Sequence, residues 1–212
     1  MAGNGSEDSH FGSAYSLETP EQTKAYYKSW ADTYDREVSE DGRYAQPQRV
    51  ADMFVRHLRD RDALILDAGC GSGLSGAALA GVGYTNLHGC DFSPEMLTKA
   101  SEKNVYRMLF EADLNAPQSD IVDCTYDAIA CVGVLSFGHV QVDVLDEFLR
   151  ILKPSGLIVI AVNEPFWETG TLPAKVDALE ASGSVQVLAK ELGEHMPTHD
   201  VKGWVIALRR PS

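Results

Sequence analysis

"LILDAGCGSGLSGAALA", residues 64–80, is an apolar run that breaks into glycines and resumes as small residues. Its glycines can be read in two registers. Gly71-Ser72-Gly73-Leu74-Ser75-Gly76 fits the G-x-G-x-x-G pattern of dinucleotide loops. Asp67-x-Gly69-x-Gly71-x-Gly73 starts earlier, with a carboxylate at the tip of the apolar run. The first register suits a diphosphate; the second suits a nucleoside ligand without phosphates.

Working outward from this stretch, apolar runs and helical periods alternate. Strands are predicted at 64–68, 86–91, 106–111, 126–132 and 156–162, and helices at 72–80, 94–102, 142–152 and 172–182. Such alternation implies right-handed crossovers, hence an α/β fold with a doubly wound, mostly parallel sheet. Val185–Ala189 and Trp204–Leu208 read as two final strands joined by a polar loop, too close for a crossover helix and so antiparallel. Upstream, Thr19-Pro20-Glu21-Gln22 can start a helix that runs to about Arg36, and a second helix follows Pro47. The chain is expected to divide into a disordered tail at 1–18, a helical cap at 19–60 and a ligand-binding domain at 61–212.

The ligand of such a sheet lies at the carboxyl ends of the strands, where the strand order reverses. Asp67 then discriminates between the registers. A pyrophosphate on the helix N-terminus would be repelled by that carboxylate. S-adenosylmethionine (SAM), which carries an ammonium and a sulfonium, would be attracted. The dinucleotide register also starts late, since the strand ends at Ala68, before Gly71. Asp91, at the next strand end, can accept both ribose hydroxyls. Phe92 and Met96 suit one face of adenine. In Glu111-Ala112-Asp113-Leu114, Asp113 can accept the exocyclic amine while Leu114 covers the ring. Gly69, Gly71 and Gly73 let the backbone approach the ligand closely.

Composition narrows the partners. With 31 acidic and 18 basic residues, the net charge of −13 repels long polyanions, so nucleic acid is not expected as a substrate. The four cysteines lack a C-x-x-C pair, and no metal site is expected. Neither a signal peptide nor a run long enough to span a bilayer is visible, which sets the expectation of a cytoplasmic protein without a membrane partner.

With these segments in place, the chain from about Tyr26 onward resembles the class I SAM-dependent methyltransferases. "LDAGCGSG" is similar to their first motif, "GCDFSPEML" to the ribose segment, "EADL" to the adenine segment and "ILKPSGLIVIAV" to the fifth-strand motif. "YYKSWADTYD", "CVGVLSFGHV" and "VNEPFWE" resemble the small methyltransferase-like proteins of the Williams–Beuren-region type. The resemblance implies a seven-stranded Rossmann-like sheet with its last strand antiparallel, SAM as cofactor, and an N-terminal helical lid over its methionine end. It also adds Ala112 and Val132 to the cofactor-binding set. Ser155 stands where a second glycine is commoner, a departure that should touch only turn geometry.

On the substrate side, Tyr26, Trp30 and Tyr34 share one stripe of the first helix, with Tyr27 beside it. Tyr27 or Tyr34 would bond the SAM carboxylate and Trp30 would border the methyl. Packing against the sheet domain explains the same stripe. His139 is the candidate general base, with a surface or helix-start histidine as the alternative. Asn163, Glu164, Phe166 and Trp167 can shape an acceptor pocket, whereas His195 and His199 bracket Pro197 and form no helical metal face. The activity expected is methyl transfer to oxygen, nitrogen or sulfur of a small molecule, by a monomer or homodimer. A SAM-binding protein with little turnover, or an NAD(P)-dependent oxidoreductase, are the alternatives.

Overall fold

A computed structural model describes residues 44–136 and 140–212. The first helix, α1 (Gln46–His57), is followed by β1 (Ile65–Ala68), α2 (Leu74–Gly81), β2 (Leu87–Asp91), α3 (Pro94–Glu102) and β3 (Tyr106–Glu111). The second half runs β4 (Tyr126–Val132), α4 (Val144–Ile151), β5 (Leu152–Asn163), α5 (Glu164–Glu168), α6 (Thr171–Ala181), β6 (Gln186–Met196) and β7 (Val201–Arg209). The seven strands form one sheet in the order β3-β2-β1-β4-β5-β7-β6. Strands β1 to β5 pair in parallel, and β7 runs antiparallel to both β5 and β6.

The alternation of side chains along each strand builds two cores. On β5, Leu157, Val159 and Ala161 face a core shared with Val50, Met53 and Phe54 of α1 and Leu79 of α2. Ile158, Ile160 and Val162 face the other, with Leu145, Phe148 and Ile151 of α4 and Leu172 and Val176 of α6. Because helices cover both faces, β4 and β5 are apolar at nearly every position rather than at alternate ones. Helix α1, assigned by sequence to the cap, thus packs into the sheet core.

Helix starts follow local chemistry. Ser93 caps α3, accepting from the Met96 N–H at 3.3 Å ahead of Pro94. Asn163 caps α5, accepting from the Phe166 N–H at 2.8 Å.

Three boundaries differ from the sequence expectation. Strand β5 begins at Leu152, before the turn at Ser155, which takes the left-handed conformation (φ 62°) that a glycine would adopt more easily. The polar loop expected between the last strands shrinks to a single turn of 3-10 helix, Pro197–His199. β6 continues through Lys190-Glu191-Leu192-Gly193-Glu194, polar because it is the sheet edge, with much of it exposed. The short helix α5 was not expected.

Candidate functional site

Strands β1, β2, β4 and β5 end at Ala68, Asp91, Val132 and Asn163 on one edge of the sheet. The chain moves outward from β1 through β2 on one side and from β4 through β5 on the other, so the switch point lies between β1 and β4. The glycine loop emerges there.

Its backbone is held from β2. The N–H groups of Gly69 and Cys70 both donate to the Cys90 carbonyl, at 2.8 and 2.9 Å. The Gly71 N–H donates to Asp91 Oδ2 at 3.0 Å. All three loop glycines have positive φ: 72° at Gly69, 52° at Gly71 and 89° at Gly73. They need to be glycine for different reasons. A Cβ on Gly69 would stand 2.4 Å from Val134 Cγ2, and one on Gly73 would stand 3.1 Å from Ala100 Cα. A Cβ on Gly71 would meet nothing within 4 Å. Gly71 therefore offers its peptide to open space beside Asp91.

Asp67 corrects the simplest form of the sequence argument. The carboxylate does not stand free at the strand tip: it is fully buried. Its Oδ2 accepts from Ser75 Oγ and from the Tyr106 hydroxyl, both at 2.6 Å. Its Oδ1 is buried with no hydrogen-bond partner among the described residues. Burial pushes the pKa up to about 6, with the charge of Asp91 adding to the rise and the two hydroxyls and the Gly76 backbone N–H opposing it. At neutral pH the group is mostly ionised. Ser75 lies within the loop motif, so local reading could have found it; Tyr106 comes from another strand and left no local signal.

Asp91 is half-buried, with Oδ1 accepting from the Ser93 N–H at 3.0 Å and Oδ2 from Gly71. Burial raises its pKa, and the backbone N–H groups of Ser93, Gly71 and Phe92 counter that. Each oxygen keeps a second lone pair for another donor. Phe92 is half-buried beside it and Met96 buried beneath. The Ala112 N–H donates to the Asp91 carbonyl at 3.0 Å, fastening the β3 tip to the β2 tip. Asp113 is exposed there, its Oδ1 accepting from the Asn115 N–H at 2.9 Å, while Leu114 is buried at the edge of the core.

Val132 is half-buried at the β4 tip, followed by Gly133 with φ 72°. Tyr27, Trp30, Tyr34 and His139 lie outside the described residues. Of the residues expected around an acceptor, Asn163 serves as the α5 cap and Phe166 is buried in the core. Trp167 stacks on Trp204, ring centroids 4.9 Å apart. Residues that sequence reasoning missed are Tyr44, Gln46 and Arg49. His195, read earlier only for metal binding, is buried against them.

The methyltransferase-domain family profile matches residues 65–156. Methyltransferase-like protein 27 of Homo sapiens is 34% identical over 165 residues, covering 74% of this chain and 66% of that protein. Phosphatidylethanolamine N-methyltransferase of Cereibacter sphaeroides is 33% identical over 161 residues, covering 72% of this chain and 73% of that one. The chain thus spans about two thirds of the human relative, 66%. Other relatives bear the names of ubiquinone-biosynthesis O-methyltransferases and of a tRNA methyltransferase. Among solved structures, the [4+2]-cyclase SpnF matches with a TM-score of 0.69 at 18% identity, covering 92% of this chain and 97% of that chain. That last likeness is one of fold alone.

Proposed function

Because this chain belongs to the class I SAM-dependent methyltransferases, we propose that it transfers the methyl group of SAM to an oxygen, nitrogen or sulfur of a small molecule. The observation that carries the cofactor placement is the Gly71 peptide. It is bonded to Asp91, and no atom stands within 4 Å of its Cβ position. A nucleoside can lie there with its ribose hydroxyls on the remaining lone pairs of Asp91. Phe92, Met96, Ala112 and Leu114 would border adenine, and Asp113 would accept its amine. Gly69, Gly73 and Val132 would shape the passage toward β4.

Asp67 fits the same ligand. Buried polar atoms without partners are uncommon, and Oδ1 of this ionised carboxyl is one. The charge would attract a ligand ammonium nearby, whereas a diphosphate would face an uncompensated negative charge.

SAM, when bound, supplies an electrophilic methyl on a sulfonium that is itself the leaving group. The protein's share is alignment and exclusion of water. Tyr27, Trp30 and Tyr34 would contribute these from the N-terminal segment. His139 would take a proton from an acceptor that must lose one.

A small acceptor is favoured by charge and by the crossovers. The net charge of −13 opposes a polyanion. The connection from β5 to β6 holds only α5 and α6, with no inserted domain to bind a macromolecule. Among the described residues, no helix is long and apolar enough to cross a membrane.

The test is methyl-labelled SAM offered with phenols, amines, thiols, phosphatidylethanolamine vesicles and tRNA. Label on a small acceptor supports the proposal, whereas label on tRNA or lipid alone overturns the acceptor class. Binding of S-adenosylhomocysteine without transfer to any acceptor favours the binding-protein reading. In calorimetry, Asp91→Ala should weaken S-adenosylhomocysteine at least about tenfold, since it removes hydrogen bonds to a charged group. Unchanged affinity would remove the ribose assignment.

A further inference from the structure

At the same sheet edge, beyond β4, a buried polar cluster ties the chain just before α1 to β6 and β7. Strand β6 runs parallel to β5, since both oppose β7, so its end at His195 and Met196 lies with Asn163. Gln46 is fully buried and His195 is 5% exposed. Arg49 Nη1 donates to Gln46 Oε1 at 3.1 Å, which fixes the orientation of the amide. Gln46 Nε2 therefore faces inward, donating to the Val162 carbonyl at 3.3 Å and meeting His195 Nδ1 at 3.0 Å. Nδ1 must accept, so the imidazole carries its proton on Nε2. Burial, and then the Arg49 charge, lower the His195 pKa to about 4, which keeps the ring neutral. Gly203 makes room for the cluster: a Cβ there would stand 2.2 Å from Gln46 Nε2 and 2.9 Å from His195 Nδ1.

This cluster holds Tyr44. The Ala45 N–H donates to the His195 carbonyl at 2.9 Å. The Tyr44 and His195 rings meet edge to face, centroids 5.1 Å apart. The phenol then reaches the tip of β4. The Cβ position of Gly133 lies 2.5 Å from the Tyr44 hydroxyl, so a side chain at that position would displace it. The next residue, Val134, fills the Cβ position of Gly69 in the glycine loop. The Tyr44 hydroxyl thus sits two contacts from the loop, on the side opposite Asp91.

That placement fixes which part of the ligand it can meet. With the base toward Asp113, just past the tip of β3, and the ribose on Asp91 at the β2 tip, the rest of the donor crosses the β1 loop and ends at β4. We infer that the Tyr44 hydroxyl recognises the amino-acid end of the donor, and that His195, locked by Gln46, is the positioning residue that holds it there. The inference rests on the cofactor placement argued above.

Calorimetry with two ligands tests it: S-adenosylhomocysteine, which has the amino-acid tail, and 5′-methylthioadenosine, which lacks it. Tyr44→Phe keeps the ring and removes one oxygen, and a thermal melt confirms that it folds. It should weaken S-adenosylhomocysteine about tenfold or more and leave methylthioadenosine within about twofold. His195→Ala, or His195→Asn should alanine not fold, should weaken the same ligand and add little in the Tyr44→Phe background. A merely structural role for His195 would lower both affinities together. Wild-type affinity for both ligands in Tyr44→Phe, or an equal loss of both, overturns the inference. Binding of neither ligand by the wild-type chain sinks the cofactor placement itself, and this inference with it.

Discussion

The Tyr106 hydroxyl donates to Asp67 Oδ2 at 2.6 Å, although Tyr106 begins β3 and Asp67 is the penultimate residue of β1, with β2 between them in the sheet. The ring reaches across because Gly89, paired with Asp67 on β2, has no side chain. A Cβ there would stand 2.9 Å from Tyr106 Cε1, and one on Gly76 of α2 would stand 2.2 Å from the hydroxyl. Two glycines besides Gly69, Gly71 and Gly73 thus make room for the tyrosine that serves this carboxylate.

Tyr106→Phe removes one of the two hydroxyl donors to a buried charge and should destabilise the fold by about 1–3 kcal/mol. Urea denaturation measures this, and an unchanged midpoint would show that Ser75 alone satisfies Oδ2. Gly89→Ala should cost more. Its methyl would press both the Tyr106 ring and Leu109 Cδ2, the latter at 2.7 Å.

Stability should carry a pH signature from Asp67. Its folded pKa of about 6 lies above the ordinary 3.8, so the folded chain binds this proton more tightly than the unfolded one. The stabilisation is full below 3.8 and is lost as the pH rises through about 6. The difference across the window is about 3 kcal/mol. Asp67→Asn removes the titration. Wild type should therefore gain on the variant by roughly that amount between pH 7 and pH 4, measured by denaturant unfolding at each pH. A constant difference would place the folded pKa at the unfolded value.

Neighbouring loop glycines should fail in different ways. Gly69→Ala meets Val134 at 2.4 Å with φ at 72°, so it should lower the melting temperature. Gly71→Ala meets nothing within 4 Å, and its φ of 52° costs only about 1–2 kcal/mol for an L-residue. Its methyl points into the proposed nucleoside site. It should fold nearly as well as wild type yet weaken S-adenosylhomocysteine more than tenfold, because the added methyl takes the nucleoside's place. Equal affinity of Gly71→Ala and wild type would move the ligand elsewhere.

Strands β1, β2 and β4 were legible almost to the residue because strands buried under helices on both faces are largely apolar runs bounded by turns, and the half-exposed edge strand β3 kept enough apolar residues between its turns to be placed as well. The edge strand β6 was not. Lys190 to Glu194 lie at the sheet rim, where polar residues pair through their backbones while their side chains meet water. Asn163 and Phe166 looked like pocket residues because they follow a strand tip. Their cap and core roles depend on where α5 turns.

Periodicity and local turn chemistry determined the α/β alternation, the glycine loop and the acids at the strand ends, since each is written within a few consecutive residues. Only the folded chain decided that Asp67 is buried under Tyr106, that Gly89 is the gap that admits it, and that Tyr44 reaches Gly133 by leaning on His195. These are contacts between segments far apart in the chain. Their energies depend on desolvation and close approach, which no local pattern encodes.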